Sequence, residues 1–298
     1  MKHFAAAIQF AYPRLQRVWE SKRMAEWLSA ALVAVFGGTV ALALVNATGL
    51  LVLPGWWGRV HVLNAVENAF TLLLFFEMIS LVFVIPASIA DAIGKQMGIL
   101  SLVLLRSSFK EFAHYHFQLP VYSQLGSVYK MIADGVGAVL VFLLLSVYYG
   151  LQRHRPVAAE ADREAFVRIK QGVALLVLGG LLVLAGHDGY QAWHTGQWVP
   201  SVGRFYLLLI FADVLLLLVA FRYARHYPEL FRYSGFVLVT VFLRFSLLAP
   251  PYYNSALGVF SVLFAIAVAY CHRRFTAVPR VYRAPERRPS ARLREPPA

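Results

Sequence analysis

Apolar residues in this chain come in long runs, not in alternation, and short polar segments rich in arginine separate them. Seven runs are plain, at 27–48, 62–88, 131–151, 171–188, 203–222, 233–249 and 253–272. Each is close to the ~20 residues that a helix needs to cross ~30 Å of hydrocarbon. An eighth, 96–113, has an apolar centre from Ile99 to Leu105 and is interrupted by Arg106. Inside lipid a backbone satisfies its own polar groups only as a helix or a closed barrel, and runs of this length select the helix. The pattern therefore predicts an all-α, polytopic membrane protein of about eight transmembrane helices.

Charge placement sets the count and the orientation. With eight spans, the N-terminus, 89–96, 152–170, 223–232 and the C-terminal tail share one side, and they collect Arg163, Arg168, Lys170, Arg232, Arg273 and Arg274. The opposite loops hold mainly Arg59, Lys130 and Arg204. Seven spans would place 152–170 and the tail on opposite sides. Because basic loops stay in the cytoplasm, the sequence predicts eight spans, both termini cytoplasmic, in a bacterial inner membrane. Tyr190, Trp193, Tyr252 and Tyr253 then fall at the outer interface, where amphipathic rings settle. The N-terminal stretch around Arg14, Arg17, Lys22 and Arg23 is polar and basic and reads as a cytoplasmic segment, not a cleaved signal.

Composition agrees. Of 298 residues 59% are hydrophobic and 14% charged, against about 25% charged in a soluble domain. The mean hydropathy is +0.62. A net charge of +13 would raise nucleic acid as a partner in a soluble protein. Here the positive charge lies between apolar runs and in the tail, so the expected partners are the bilayer and its anionic headgroups, with no nucleic acid; a homo-oligomer is compatible. The single cysteine, Cys271, excludes an intramolecular disulfide.

The two halves resemble each other. FTLLLFFEMISLVFVI carries Glu77 in an apolar run, and FYLLLIFADVLLLLVA carries Asp213. Each run is followed by a short polar loop and a helix with one embedded arginine: Arg106, 29 residues after Glu77, and Arg244, 31 after Asp213. Four spans per half would insert the same way up, as in parallel transporter repeats. The expected division is a first four-helix repeat over 1–152 with its N-terminal segment, a linker at 153–170, a second repeat over 171–274 and a tail at 275–298.

The acid in the second helix, the aromatic-basic loop, the arginine in the third and the apolar fourth helix over 170–275 resemble the phosphate-starvation-inducible E (PsiE) family of four-helix bacterial membrane proteins. The likeness extends more faintly over 60–150, so the chain resembles two such units fused, the first departing through its longer segment at 113–130. The resemblance implies an inner-membrane location and a four-helix unit, and it carries no activity across.

Chemistry concentrates in the intramembrane charges. Glu77 and Arg106, and Asp213 and Arg244, each fall ~15 Å inside at 1.5 Å per residue, on consecutive helices that are normally neighbours. A lone charge there costs at least ~2.5–3.5 kcal/mol, so pairing is expected. Two roles stay open: a clamp between helices, or part of a polar path for protons or ions. Asn64, Glu67, Asn68 and Asp134 would extend such a path if they share its face. His114 and His116, and His187, Asp188 and His194, form no recognised metal motif, and no metal or cofactor is expected. Gly135, Gly137, Gly179 and Gly180 read as sites of close helix packing. No phosphate loop, dinucleotide fingerprint or nucleophile elbow appears, so the chain is not expected to be an enzyme. The proline- and arginine-rich tail lacks core-forming residues and is expected to be disordered, presenting Arg273, Arg274, Arg280, Arg283, Arg287, Arg288, Arg292 and Arg294 to lipid headgroups or an acidic partner. The sequence thus supports a transporter or ion conduit between two repeats, or a non-catalytic scaffold acting through helix packing and its tail.

Overall fold

A computed structural model describes residues 2–48, 64–113, 125–152, 160–195, 201–223 and 227–277. His114, His116, Arg280, Arg283, Arg287, Arg288, Arg292 and Arg294 lie outside these residues, as do the side chains of Asn64 and Arg163. The described residues form nine helices and no strand: α1 (Lys2–Trp19), α2 (Lys22–Ala47), α3 (Asn64–Val84), α4 (Ile89–Ala113), α5 (Leu125–Leu151), α6 (Glu160–Thr195), α7 (Val202–Tyr223), α8 (Tyr227–Leu248) and α9 (Tyr253–Ala277). Seven of them, α2, α3 and α5 to α9, are long and apolar enough to cross a membrane. The chain is a multi-pass helical membrane protein.

Hydropathy located α2 to α9 but not their ends. The segment 89–96, expected as a loop, is the first two turns of α4. There Ser88 caps the helix, with its Oγ 2.5 Å from Asp91 Oδ2 and accepting from the Asp91 N–H at 3.2 Å. The Asp91 amide, one of the donors that the first turn leaves open, is satisfied in this way, and the Asp91 carboxylate accepts from the hydroxyl in return. The linker expected at 153–170 is likewise helical from Glu160 onward. Charged residues extend a helix beyond the hydrocarbon, and a hydropathy window does not register the extension.

The N-terminal segment folds as α1, which the sequence did not predict. Arg14 and Arg17 are exposed, while Tyr12 is buried and donates to the Phe83 carbonyl at 2.9 Å. Trp19 donates to Ser80 Oγ at 3.0 Å and stacks on Phe76 and Phe83. The helix is thereby docked on the C-terminal end of α3. It also packs against α6.

Packing divides into two cores. One joins α3, α6 and α7 through Met78, Val82, Val177, Leu181, Phe205 and Leu209, with Tyr12 of α1 closing one end. The other lies within a ring in which α4 meets α5, α5 meets α9, α9 meets α8 and α8 meets α4. Ile93, Met97, Leu100 and Leu104 recur along α4 at helical spacing and face Val141, Leu145, Val239, Leu243, Val262 and Ala265. Such spacing places a stripe on one helix face. The outer surfaces stay apolar: Leu176, Phe142 and Val183 are 68%, 65% and 72% exposed. Only 6% of the apolar window of α2 is buried. These are surfaces suited to lipid, which removes the penalty that water would impose.

Candidate functional site

Two acid–arginine pairs form across neighbouring helices. On α7, Asp213 follows the buried Leu209 and Ala212. On α8, Arg244 follows the buried Val239, Thr240 and Leu243. Arg244 Nε donates to Asp213 Oδ2 at 2.8 Å. Its Nη2 lies 2.6 Å from the same oxygen but out of line for a hydrogen bond, so that contact is Coulombic. The two side chains are 2% and 10% exposed. Arg244 is among the largest fully buried side chains of the described residues.

Glu77 of α3 and Arg106 of α4 form the second pair, with side chains 14% and 16% exposed. Glu77 Oε2 is buried and accepts no hydrogen bond from the described residues. One turn further along α4, Lys110 pairs with Glu67 at 3.1 Å, and both are about half exposed. Residues four apart share a helix face, so α4 presents Arg106 and Lys110 together toward the acids of α3. Tyr206 of α7 is buried and within electrostatic reach of both Arg106 and Arg244.

Beside Asp213 is a cavity of about 40 Å³. Its walls come from the α3–α4 turn and α4 on one side and from α6, α7 and α8 on the other. Gln96, Lys170, Asp213, Tyr233 and Thr240 contribute the polar atoms, and Ile85, Leu216 and Val237 are among the apolar ones. Lys170, which charge counting placed in a loop, is buried on α6. Its Nζ donates to the Ala87 carbonyl at 3.0 Å and lies 4.7 Å from the Phe166 ring centre.

The other polar candidates do not gather at this cavity. Asn68 is exposed, and Glu67 is engaged with Lys110. Asp134 of α5 is wholly buried; its Oδ1 accepts from Ser255 Oγ of α9 at 2.8 Å, while its Oδ2 has no hydrogen-bond partner among the described residues. Tyr252, at φ 73, turns the chain into α9 so that Asn254 and Ser255 enter the core, where Ser246 Oγ donates to the Asn254 carbonyl at 2.6 Å. Asp188 accepts from the Ser201 amide and hydroxyl, both at 2.6 Å, and clasps the end of α6 to the start of α7. Among the described residues no three His, Cys, Asp or Glu side chains converge to hold a metal. Arg273 and Arg274 are exposed at the end of α9, and Arg274 donates to Tyr270 OH at 2.9 Å.

The glycines divide. A Cβ on Gly137 would lie 2.6 Å from Ser255 Cβ and 3.3 Å from its Cα, and one on Gly180 would lie 2.6 Å from Leu208 Cδ2; Gly179 faces open space and Gly135 only an ordinary contact. Sequence reasoning missed Lys170 and Tyr206. The first sits at the boundary of an apolar run, and the second is an unremarkable aromatic in a hydrophobic helix until its neighbours are known. No family model matches the chain, and neither a curated protein nor a solved structure matches it.

Proposed function

We propose that this protein is an ion or proton conduit of the bacterial inner membrane, with its path at the junction of two four-helix units, α2 to α5 and α6 to α9. The observation that carries this reading is the cavity against Asp213. It draws walls from both units and touches a carboxylate whose other face is locked to a buried arginine. A charge pair beside internal space can exchange partners, whereas a pair sealed in packed side chains only holds helices together.

In this reading α4 is the eighth span and both termini are cytoplasmic. Its support is the position of α4, which packs on α3, α5, α8 and α9 and carries its inward arginine paired. The correspondence of Glu77–Arg106 with Asp213–Arg244 on successive helices supports the duplication and the resemblance to PsiE-like units.

The test is flux in proteoliposomes made from the purified full chain, with a pH-sensitive dye inside and imposed ion gradients outside. Wild-type protein is expected to dissipate a gradient, and Asp213→Asn to reduce that flux at least tenfold while Glu67→Gln leaves it unchanged. Flux equal in wild type and Asp213→Asn overturns the proposed path.

A second reading is a scaffold in which the pairs clamp α3 to α4 and α7 to α8. The closed geometry of both pairs favours it. It takes precedence if wild-type protein carries no flux and the substitutions lower only yield and thermal stability.

A further inference from the structure

We propose that the cavity between the α3–α4 turn and α6, α7 and α8 is a binding site for a small monovalent inorganic anion of chloride size, held by Lys170 and Gln96. That the anion is also the species transported rests on the conduit reading above.

Lys170 supplies the charge. An ammonium has three N–H donors, and the Ala87 carbonyl takes one of them. No carboxylate among the described residues lies within 4.0 Å of Nζ, although the residue is only 5% exposed. The Phe166 ring face offers a weak electrostatic contact, which does not replace a counter-ion in a poorly solvated site. The remaining donors belong to a side chain that lines the cavity.

The charge balance points the same way. Asp213 is the cavity's acid, and Arg244 neutralises it at 2.6 Å. Counting Lys170, Asp213 and Arg244 together leaves a net charge of +1 on the described residues at the cavity. One monovalent anion would cancel that excess, whereas a cation would double it.

The remaining walls fit an anion and limit its size. Gln96 is buried, lines the cavity and makes no side-chain hydrogen bond to the described residues, so its amide N–H groups are available as donors. Thr240 Oγ1 is already committed as a donor to the Val237 carbonyl at 2.7 Å. About 40 Å³ exceeds the ~10–15 Å³ that one water requires, by a factor that admits a halide with a water beside it. A bulky organic anion does not fit.

Three measurements on the full chain test this. Bromide stands in for chloride in crystals grown from bromide salts, where an anomalous peak within ~3.5 Å of Lys170 Nζ is expected. A peak-free cavity, or one holding water only with a neutral lysine, overturns the proposal. In detergent, chloride at constant ionic strength is expected to raise the melting temperature saturably by a few degrees, while gluconate does not. Lys170→Gln and, separately, Gln96→Leu are expected to abolish or weaken that rise. A chloride response identical in both variants and wild type overturns the proposal even if the crystals fail. If Lys170→Gln does not fold, Gln96→Leu and the halide series on wild-type protein carry the test.

Proteoliposome flux separates the site from the function. Chloride binding without flux keeps the site and defeats the conduit. Flux that survives Lys170→Gln and Gln96→Leu unchanged keeps the conduit and defeats the site as its substrate pocket.

Discussion

Arg244 Nε donates to Asp213 Oδ2 at 2.8 Å across 31 residues of chain, and the arginine side chain is only 2% exposed. A buried ion pair gains Coulomb energy and loses hydration, and the two nearly cancel. Its consequence is asymmetric. Both charges together are tolerated, while either one alone is strongly penalised.

Arg244→Met should therefore destabilise the protein by about 3–5 kcal/mol, because Asp213 is left as an unpaired buried carboxylate. The double substitution Asp213→Leu with Arg244→Met should recover most of that loss. Arg106→Met should cost less than Arg244→Met, since the Glu77–Arg106 pair is 14–16% exposed and retains some solvation. Unfolding midpoints of the four proteins in one detergent check the order. A double variant no better than Arg244→Met would show that the pair acts through something other than charge cancellation.

Gly137 marks a close approach between α5 and α9. A Cβ there would meet Ser255 Cβ at 2.6 Å and its Cα at 3.3 Å, and the Ser255 hydroxyl is held in place by Asp134. Backbone has to move, so Gly137→Ala should cost about 1–3 kcal/mol as overpacking does. Gly179→Ala, with nothing within 4 Å, should be neutral or slightly stabilising through helix propensity. Thermal unfolding of the two variants side by side decides it.

These two contrasts show what the sequence carried and what it could not. Long apolar runs gave the helices α2, α3 and α5 to α9, because the length of a run is a property of the run alone. The charge spacing of 29 and 31 residues led to both acid–arginine pairs, since a hairpin of two helices brings equal depths together. Gly137 and Gly179 look alike in sequence and differ only through the helix that each meets. Lys170 was read as a loop charge because its burial depends on the α3–α4 turn, α4, α7 and α8 closing over it. Helix α1 was invisible to hydropathy for a similar reason. Tyr12 and Trp19, which dock it, stand in a stretch broken by Arg14, Gln16 and Arg17, so they belong to no long apolar run.

The docking of α1 can be tested through its tyrosine. Tyr12→Phe removes the bond to the Phe83 carbonyl and should loosen α1 by about 1 kcal/mol. Burial, with a smaller push from Glu20, raises the Tyr12 hydroxyl above its ordinary pKa of 10.0. The raised value means that docking favours the neutral phenol. The contribution is therefore complete below pH 10 and is lost as pH rises from there toward the docked-state value. Proteolytic cleavage between α1 and α2 should be slow and flat from pH 7 to 9 and accelerate above 10. Tyr12→Phe should cleave faster at neutral pH and show less of that acceleration.

The status of α4 is the most direct test of eight spans. Its composition excludes it from the seven plainly apolar helices, yet two of its basic residues are answered: Arg106 by Glu77 and Lys110 by Glu67. Pairing lowers the cost of placing an arginine in hydrocarbon. Its apolar stripe of Ile93, Met97, Leu100 and Leu104 is covered on the ring side. A helix of 25 residues spans ~37 Å at 1.5 Å per residue, more than the hydrocarbon thickness. In a Cys271→Ser background, Ser88→Cys and His116→Cys bracket α4, and Arg155→Cys reports the segment after α5. If α4 crosses, a membrane-impermeant maleimide added to intact cells should label only the His116→Cys protein, and the other two should label after lysis. Labelling of Ser88→Cys and His116→Cys together, with Arg155→Cys on the opposite side, would leave α4 on one face of the membrane and remove the basis for two equal units.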